Sequence, residues 1–192
     1  MLTESAARWM LVLHTALGVA AIGSATHLAI WIRKLIRGQH GKHRAVQRFA
    51  VISLTLHALG VLAGNVMYPT YKVEVRAAYL ENANAVVDRA IAHERELDRI
   101  TEREGSERIE HTPIAQQVSK SAKAARWFDV KEHWIALGLI ASAGLVLMLR
   151  FWNPKTDGPT LGPIVFGLSL VVAGTLWLAG IIGVLTASFR AI

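Results

Sequence analysis

The residues of this sequence best suited to chemistry are four histidines in or beside long apolar stretches: His14, His27, His57 and His133. A neutral imidazole keeps one hydrogen-bond donor and one acceptor, so leaving it unpaired in hydrocarbon is costly. Haem iron is one partner that takes imidazole as an axial ligand. The chain has no cysteine, which excludes thiol catalysis, disulfides and covalent c-type haem within it. The four histidines are therefore candidate ligands of haem b.

Depth along the helices suggests how these histidines pair, because two axial ligands of one haem must lie at the same level. His14 lies five residues from Trp9, roughly 7 Å along a helix, and His133 stands at the start of its apolar stretch. We therefore predict His14 and His133 as the metal ligands, and less securely His27 with His57. Because His14 and His27 are thirteen residues apart, they lie about 140° apart around a straight helix. One haem is thus more economical than two.

Four apolar blocks, at about residues 9–32, 49–68, 134–149 and 161–188, dominate the chain. With 53% hydrophobic and 18% charged residues, the composition is more apolar than a soluble domain needs. A helix needs about 20 mostly apolar residues to cross a bilayer, and each block reaches or approaches that length. The blocks predict an all-α fold, a bundle of four transmembrane helices.

The segment 69–132 is too long for a structureless connection. Residues 71–76 alternate and predict an extended stretch, whereas a helical pattern runs from Ala78 to Glu104 and ends at Gly105. Thr112 and Pro113 resemble an N-cap and first helical position of a second helix that merges with the third span. We therefore expect an external helical hairpin at 69–132, between transmembrane helices 1 and 2 (1–68) and helices 3 and 4 (133–192).

Charge predicts the orientation. Residues 33–48 hold six basic and no acidic side chains, whereas 69–132 holds eleven basic and twelve acidic ones. The positive-inside rule then places the two short connections in the cytoplasm. Both termini and 69–132 are expected on the extracytoplasmic side of the cell inner (plasma) membrane. Nucleic-acid binding is not expected, since no soluble domain presents the basic residues.

A second candidate site combines aromatic and titratable residues at the predicted outer mouth of the bundle: Tyr68, Tyr71, Asp129, Lys131, Glu132 and His133. Quinol oxidation needs a proton acceptor within reach of the hydroxyl, and Glu132 is the candidate catalytic residue. Trp177 falls in the middle of the fourth span, where its indole N–H needs a partner or a cofactor edge.

Four spans with intramembrane histidines, and with glycines such as Gly60, Gly64 and Gly138, resemble the small membrane-bound b-type cytochromes. In that group, histidine pairs on bundle helices hold haem and exchange electrons with quinone. The resemblance implies an electron-transfer subunit, and an oxidoreductase subunit if the protein is an enzyme.

Two other classes of function stay open. A cofactor-free accessory or assembly subunit of a larger membrane complex would leave an apolar face for a partner. Its histidines would bond to backbone carbonyls or to nearby hydroxyl groups, those of Ser24, Thr26, Ser53 or Thr55. A small transporter or channel is disfavoured, because the spans contain almost no acidic residue for ion coupling. The expected partners are the lipid bilayer and either other membrane subunits or further copies of this chain.

Overall fold

The structure, a computed structural model, describes residues 2–105 and 112–191, and within these ranges the chain is all-helical with no strand. It contains five α-helices: α1 Glu4–Ile36, α2 His43–Thr70, α3 Ala83–Glu104, α4 Ile114–Phe151 and α5 Gly158–Ala191. A short 3-10 helix, His40–Lys42, precedes α2. A π-helix, Tyr71–Leu80, continues α2 directly and is called the π segment below.

Four of these helices are long and apolar enough to cross a membrane: α1, α2 with the π segment, α4 and α5. The four predicted spans are therefore confirmed as helices. All four extend beyond their apolar blocks, most of all α4, which begins twenty residues before the block at 134–149. Hydropathy marks only the apolar part of a helix, whereas hydrogen bonding and capping set its ends.

The four long helices form a ring in which α1 and α4 each contact both α2 and α5. Helices α1 and α4 consequently lie across the bundle from one another. We call the end of the bundle with residues 33–48 and 150–157 the basic end, and the opposite end, beside α3, the α3 end. At the basic end the Gln47 amide donates a 2.6 Å hydrogen bond to the Leu149 carbonyl and ties α2 to α4.

The interior changes along the length of the bundle. Toward the basic end it is filled by large apolar side chains, including Leu28, Ile32, Leu149 and Val165, each 2% exposed or less. The middle of the bundle holds small and polar buried residues, including Ser53, His57, Ser142 and Thr175. The candidate chemistry therefore lies between the middle of the bundle and the α3 end.

The connection between the second and third spans differs in part from the prediction. Gly105 ends α3 in the left-handed conformation, at φ 62°, as predicted. The predicted extended stretch at 71–76 is wrong, because these residues belong to the π segment. The weak preference of six alternating residues for an extended conformation is overcome because the helix continues directly from α2 and packs against α4. Helix α4 begins at Ile114 with Pro113 as its N-cap, one residue later than predicted.

Candidate functional site

His57 is the most deeply buried of the candidate ligands, at 2% exposure on the inner face of α2. Its Nδ1 lies 3.0 Å from the hydroxyl of Ser142 on α4. That hydroxyl also lies 2.8 Å from the Gly138 carbonyl, to which it can donate. Which of the two groups donates in the His57–Ser142 bond depends on the tautomer of the imidazole.

The second nitrogen of His57 is held in a closed environment. The Ile135 carbonyl approaches the ring, but no atom within 2–105 and 112–191 forms a well-shaped hydrogen bond with the buried Nε2. A Cβ on Gly138 would stand 2.5 Å from the Thr175 Oγ1 and 3.3 Å from the His57 Cε1. Glycine at 138 thus lets α4, α5 and the imidazole meet without a gap.

A pair of serines extends this polar region one turn along α2. The hydroxyls of Ser24 on α1 and Ser53 on α2 lie 3.1 Å apart and are both buried. The Ser24 hydroxyl can donate to Ser53 or, at 2.9 Å, to the Ala21 carbonyl of its own helix. The buried polar groups therefore link α1 to α2 and α2 to α4.

His14 is half-buried at the α3 end of α1, where its Nδ1 donates to the Gly60 carbonyl of α2 over 3.0 Å. Its ring lies over Gly64, with Cε1 3.2 Å from the position of a Cβ there. The neighbouring charge is Lys131 of α4, which is close enough to act on His14 electrostatically. The Lys131 ammonium also lies 3.5 Å from the Cβ position of Gly183 on α5.

The structure does not bring His14 and His133 together. His133 is exposed on α4, and its Nδ1 donates to the Asp129 carbonyl of the same helix at 2.8 Å. At the level of His14, α4 presents Lys131 to the bundle interior instead. Two residues correspond to about 200° around a helix, so His133 points the opposite way. Counting residues along the helices placed His133 near the level of His14, but it could not show which side of α4 the His133 side chain occupies.

The structure does not bring His27 and His57 together either. His27 is exposed on the outward surface of α1, and its ring centroid lies 4.5 Å from that of Trp31 and 5.7 Å from that of Phe49. His14 faces α2 while His27 faces outward, as their predicted separation around α1 requires. Whether any of these four histidines binds haem stays a prediction.

The titratable cluster predicted at the outer mouth lies at the α3 end. The Tyr71 ring stacks on Phe128, with centroids 3.9 Å apart and planes inclined by 19°, and on Tyr68 at 6.5 Å. Its hydroxyl oxygen is buried and has no hydrogen bond to any described atom. The half-buried Glu132 lies within electrostatic range of Asp129, Lys131, His133 and Arg76. Tyr71 and Asp129 therefore lie on the side of α4 that faces the π segment, whereas Lys131 points into the bundle and His133 points outward.

Arg76 was not singled out from the sequence, although it organises this cluster. Its guanidinium donates two hydrogen bonds to the Asp129 carboxylate, at 2.5 and 3.2 Å, and a third to Glu81 at 2.9 Å. The only sequence signal was an isolated arginine in a short alternating stretch. Asp129 is committed to Arg76, so Glu132 is the carboxylate of this group left as the candidate proton acceptor.

The indole N–H of Trp177 has a hydrogen-bond partner, as we expected for a tryptophan in the middle of the fourth span. Its indole N–H donates to the Thr26 hydroxyl of α1 at 3.0 Å. Thr26 in turn donates to the Ile22 carbonyl at 2.8 Å. The bond ties α5 to α1 on the outside of the bundle, where half of the Trp177 side chain stays exposed.

Among the described residues, no three side chains of histidine, aspartate or glutamate converge to hold a metal ion. Comparisons of this chain with models of known protein families, with curated proteins and with solved structures found no match.

Proposed function

We propose that this chain is a cofactor-free accessory or assembly subunit of a larger membrane complex, with histidines that bind neighbouring helices. The observation that carries the proposal is His57, whose Nδ1 is bonded to Ser142 and whose ring is walled by Gly138 and Thr175. A flat macrocycle would need a slot beside this ring, and a Cβ position at Gly138 lies only 3.3 Å from the His57 Cε1 and 2.5 Å from the Thr175 Oγ1. His14 is likewise bonded across to α2, at the Gly60 carbonyl.

Membership of a complex is supported by the outward-facing His27. Its imidazole is exposed well inside the apolar part of α1 and contacts the rings of Trp31 and Phe49. An imidazole facing lipid keeps its donor and acceptor unsatisfied, which is costly in hydrocarbon. A polar group on a partner helix would satisfy it, so this face of α1 is the proposed contact.

Site-specific photo-crosslinking in native membranes tests this contact. A crosslinker at His27 is expected to give one discrete protein adduct, and the same partner is expected in stoichiometric amount when the tagged chain is purified in mild detergent. A crosslinker at Leu147, which is 61% exposed on α4, is the control and should give no such adduct. A monomer of 21.0 kDa with no adduct from either position would contradict the proposal. An adduct at twice that mass would identify a second copy as the partner.

Haem-dependent electron transfer, with quinone as the exchange partner, is the second candidate because of one feature of His133. The ring donates through Nδ1 to a backbone carbonyl and keeps Nε2 free, which is how axial imidazoles are usually oriented. Since this ring faces outward, it would hold haem b between this chain and a partner. The bound group would supply one-electron chemistry, with Glu132 positioned to accept a quinol proton.

For orientation, we propose that the basic end faces the cytoplasm and that 69–132 forms a helical hairpin on the extracytoplasmic side of the inner membrane. The asymmetry of basic residues supports this, because residues 33–48 carry six basic and no acidic side chains.

A further inference from the structure

The basic end contains a groove between α1 and α2 with an unusual combination of side chains. Its volume is about 250 Å³, and it is bounded by apolar, amide and cationic residues: Trp31, Lys34, Leu35, Gln39, Lys42 and Val46. Trp31, Leu35 and Val46 form an apolar floor, with Leu35 and Val46 each 1% exposed. The two lysines and the Gln39 amide form the polar rim.

The connection that shapes the groove carries positive charge only. Residues 33–48 contain six basic and no acidic side chains. Gly38, with φ 94°, reverses the chain directly after α1, and the Gln39 N–H donates to the Lys34 carbonyl at 3.1 Å. The Lys34 and Lys42 ammonium groups and the Gln39 amide can donate hydrogen bonds to a phosphate, and the apolar floor can contact a hydrophobic group esterified to that phosphate.

We propose that this groove binds the headgroup of an anionic phospholipid, with the phosphate between Lys34 and Lys42 and the glycerol side over Trp31. A tryptophan at this position is typical of the headgroup level of a bilayer. Lysine side chains at this level are attracted to the anionic headgroups of a membrane surface. The site uses no residue of the α3 end but shares Trp31 with the proposed complex contact, since the Trp31 ring lies 4.5 Å from that of His27.

The test is lipid binding by the full chain in an uncharged detergent, measured by native mass spectrometry and by titration with short-chain lipids. Phosphatidylglycerol is expected to bind as one tight equivalent, and phosphatidylcholine much more weakly. In the double variant Lys34→Gln/Lys42→Gln, the dissociation constant for phosphatidylglycerol should rise about 10- to 30-fold. Helical content measured by circular dichroism checks that the variant is folded.

The matched control is Arg44→Gln/Arg48→Gln, which removes the same charge from the same connection at two exposed residues outside the groove. It should leave the tight equivalent in place. If both double variants weakened phosphatidylglycerol binding equally, the proposed site would be wrong, and binding would reflect only general attraction between opposite charges. Displacement of phosphatidylglycerol by inorganic phosphate at similar concentration would also overturn the proposal, because the groove would then be a site for free phosphate.

Discussion

Single polar side chains in the middle of the bundle are joined by hydrogen bonds between helices. Ser142 lies within hydrogen-bond distance of both the Gly138 carbonyl and the His57 Nδ1. The bond fixes the orientation of the His57 ring and satisfies one of its two nitrogens. It also links α2 to α4 at a defined register.

The first prediction concerns this bond. His57→Ala and Ser142→Ala should each lower the free energy of unfolding in detergent, because each leaves the other partner buried and unpaired. A double-mutant cycle should give a coupling energy of about 0.5–1.7 kcal/mol. Thr55→Ala is the control, since the exposed Thr55 donates only to the Val51 carbonyl of its own helix. A coupling energy of zero would contradict the bond.

The second prediction concerns the contact of α4 with α5. Gly138→Ala should destabilise the protein by about 1–3 kcal/mol, because its Cβ would meet the Thr175 Oγ1 at 2.5 Å. Adding Thr175→Ala removes that oxygen and should restore part of the loss in a thermal unfolding measurement. Gly144→Ala, which would meet only Leu168 at 3.9 Å, should be tolerated. Equal destabilisation by Gly138→Ala and Gly144→Ala would show that α4 does not lie close to Thr175 at residue 138.

The sequence was sufficient to predict that buried polar side chains need partners, but not which partners. Trp177 was predicted to require one, and Thr26 provides it. Ser142, eighty-five residues from His57, carried no signal of its own in the sequence. Such pairs arise from the relative rotation of two helices, which periodicity in one helix does not specify.

At the scale of secondary-structure elements, the π segment is held against α4 at three points. Arg76 binds Asp129, Tyr71 stacks on Phe128, and the Ser121 hydroxyl donates to the Leu80 carbonyl at 2.9 Å. Ten residues of continuous π-helix are unusual, because π-helices mostly occur as single turns near functional sites. The side-chain contacts with α4 stabilise a backbone geometry that is unfavourable alone.

The third prediction is that Arg76→Gln loosens this segment. The Arg76–Asp129 pair is part-buried and bidentate, so its loss should cost about 1 kcal/mol locally. Amide hydrogen exchange across 71–80 should accelerate about 5-fold, and Asp129→Asn should do the same. Arg99→Gln breaks an exposed pair with Glu96 on α3 and should leave exchange at 71–80 unchanged. An unchanged rate of amide hydrogen exchange across 71–80 in Arg76→Gln would contradict the stabilising contact of Arg76 with Asp129.

Hydropathy and capping signals predicted most elements but not the faces that they present. The four long helices and the end of α3 at Gly105 follow from apolar length and from glycine at a left-handed position. The stretch 71–76 was misread, because alternation over six residues also occurs on a helix. Likewise, depth placed His133 level with His14, while rotation of α4 turned Lys131 inward instead.

At the scale of the whole molecule, the interior is layered along the bundle. Large apolar side chains fill the part nearest the basic end, His57 and the serine pair lie in the middle, and His14 lies toward the α3 end. The connection at 33–48, which carries six basic and no acidic side chains, adjoins the apolar layer, whereas 69–132 carries both signs of charge. The two ends of the bundle therefore differ in charge.

The fourth prediction uses the absence of cysteine from the sequence, which makes single-cysteine labelling clean. Ala45→Cys and Ala92→Cys place thiols at exposed positions near the basic end and on α3 without changing the charge. A membrane-impermeant maleimide should label Ala92→Cys in intact spheroplasts and label Ala45→Cys only after permeabilisation. The reverse pattern would show that the basic end faces outward.

The central claim, that the buried histidines bind helices and not a cofactor, is tested most directly by the visible absorption spectrum. The protein is expressed with haem supplied, purified in mild detergent, and recorded oxidised and dithionite-reduced. We predict a folded protein without a Soret band or reduced α and β bands. Sharp reduced bands with an intense Soret band, lost in His14→Ala or His133→Ala while the fold persists, would contradict the account and establish a b-type cytochrome.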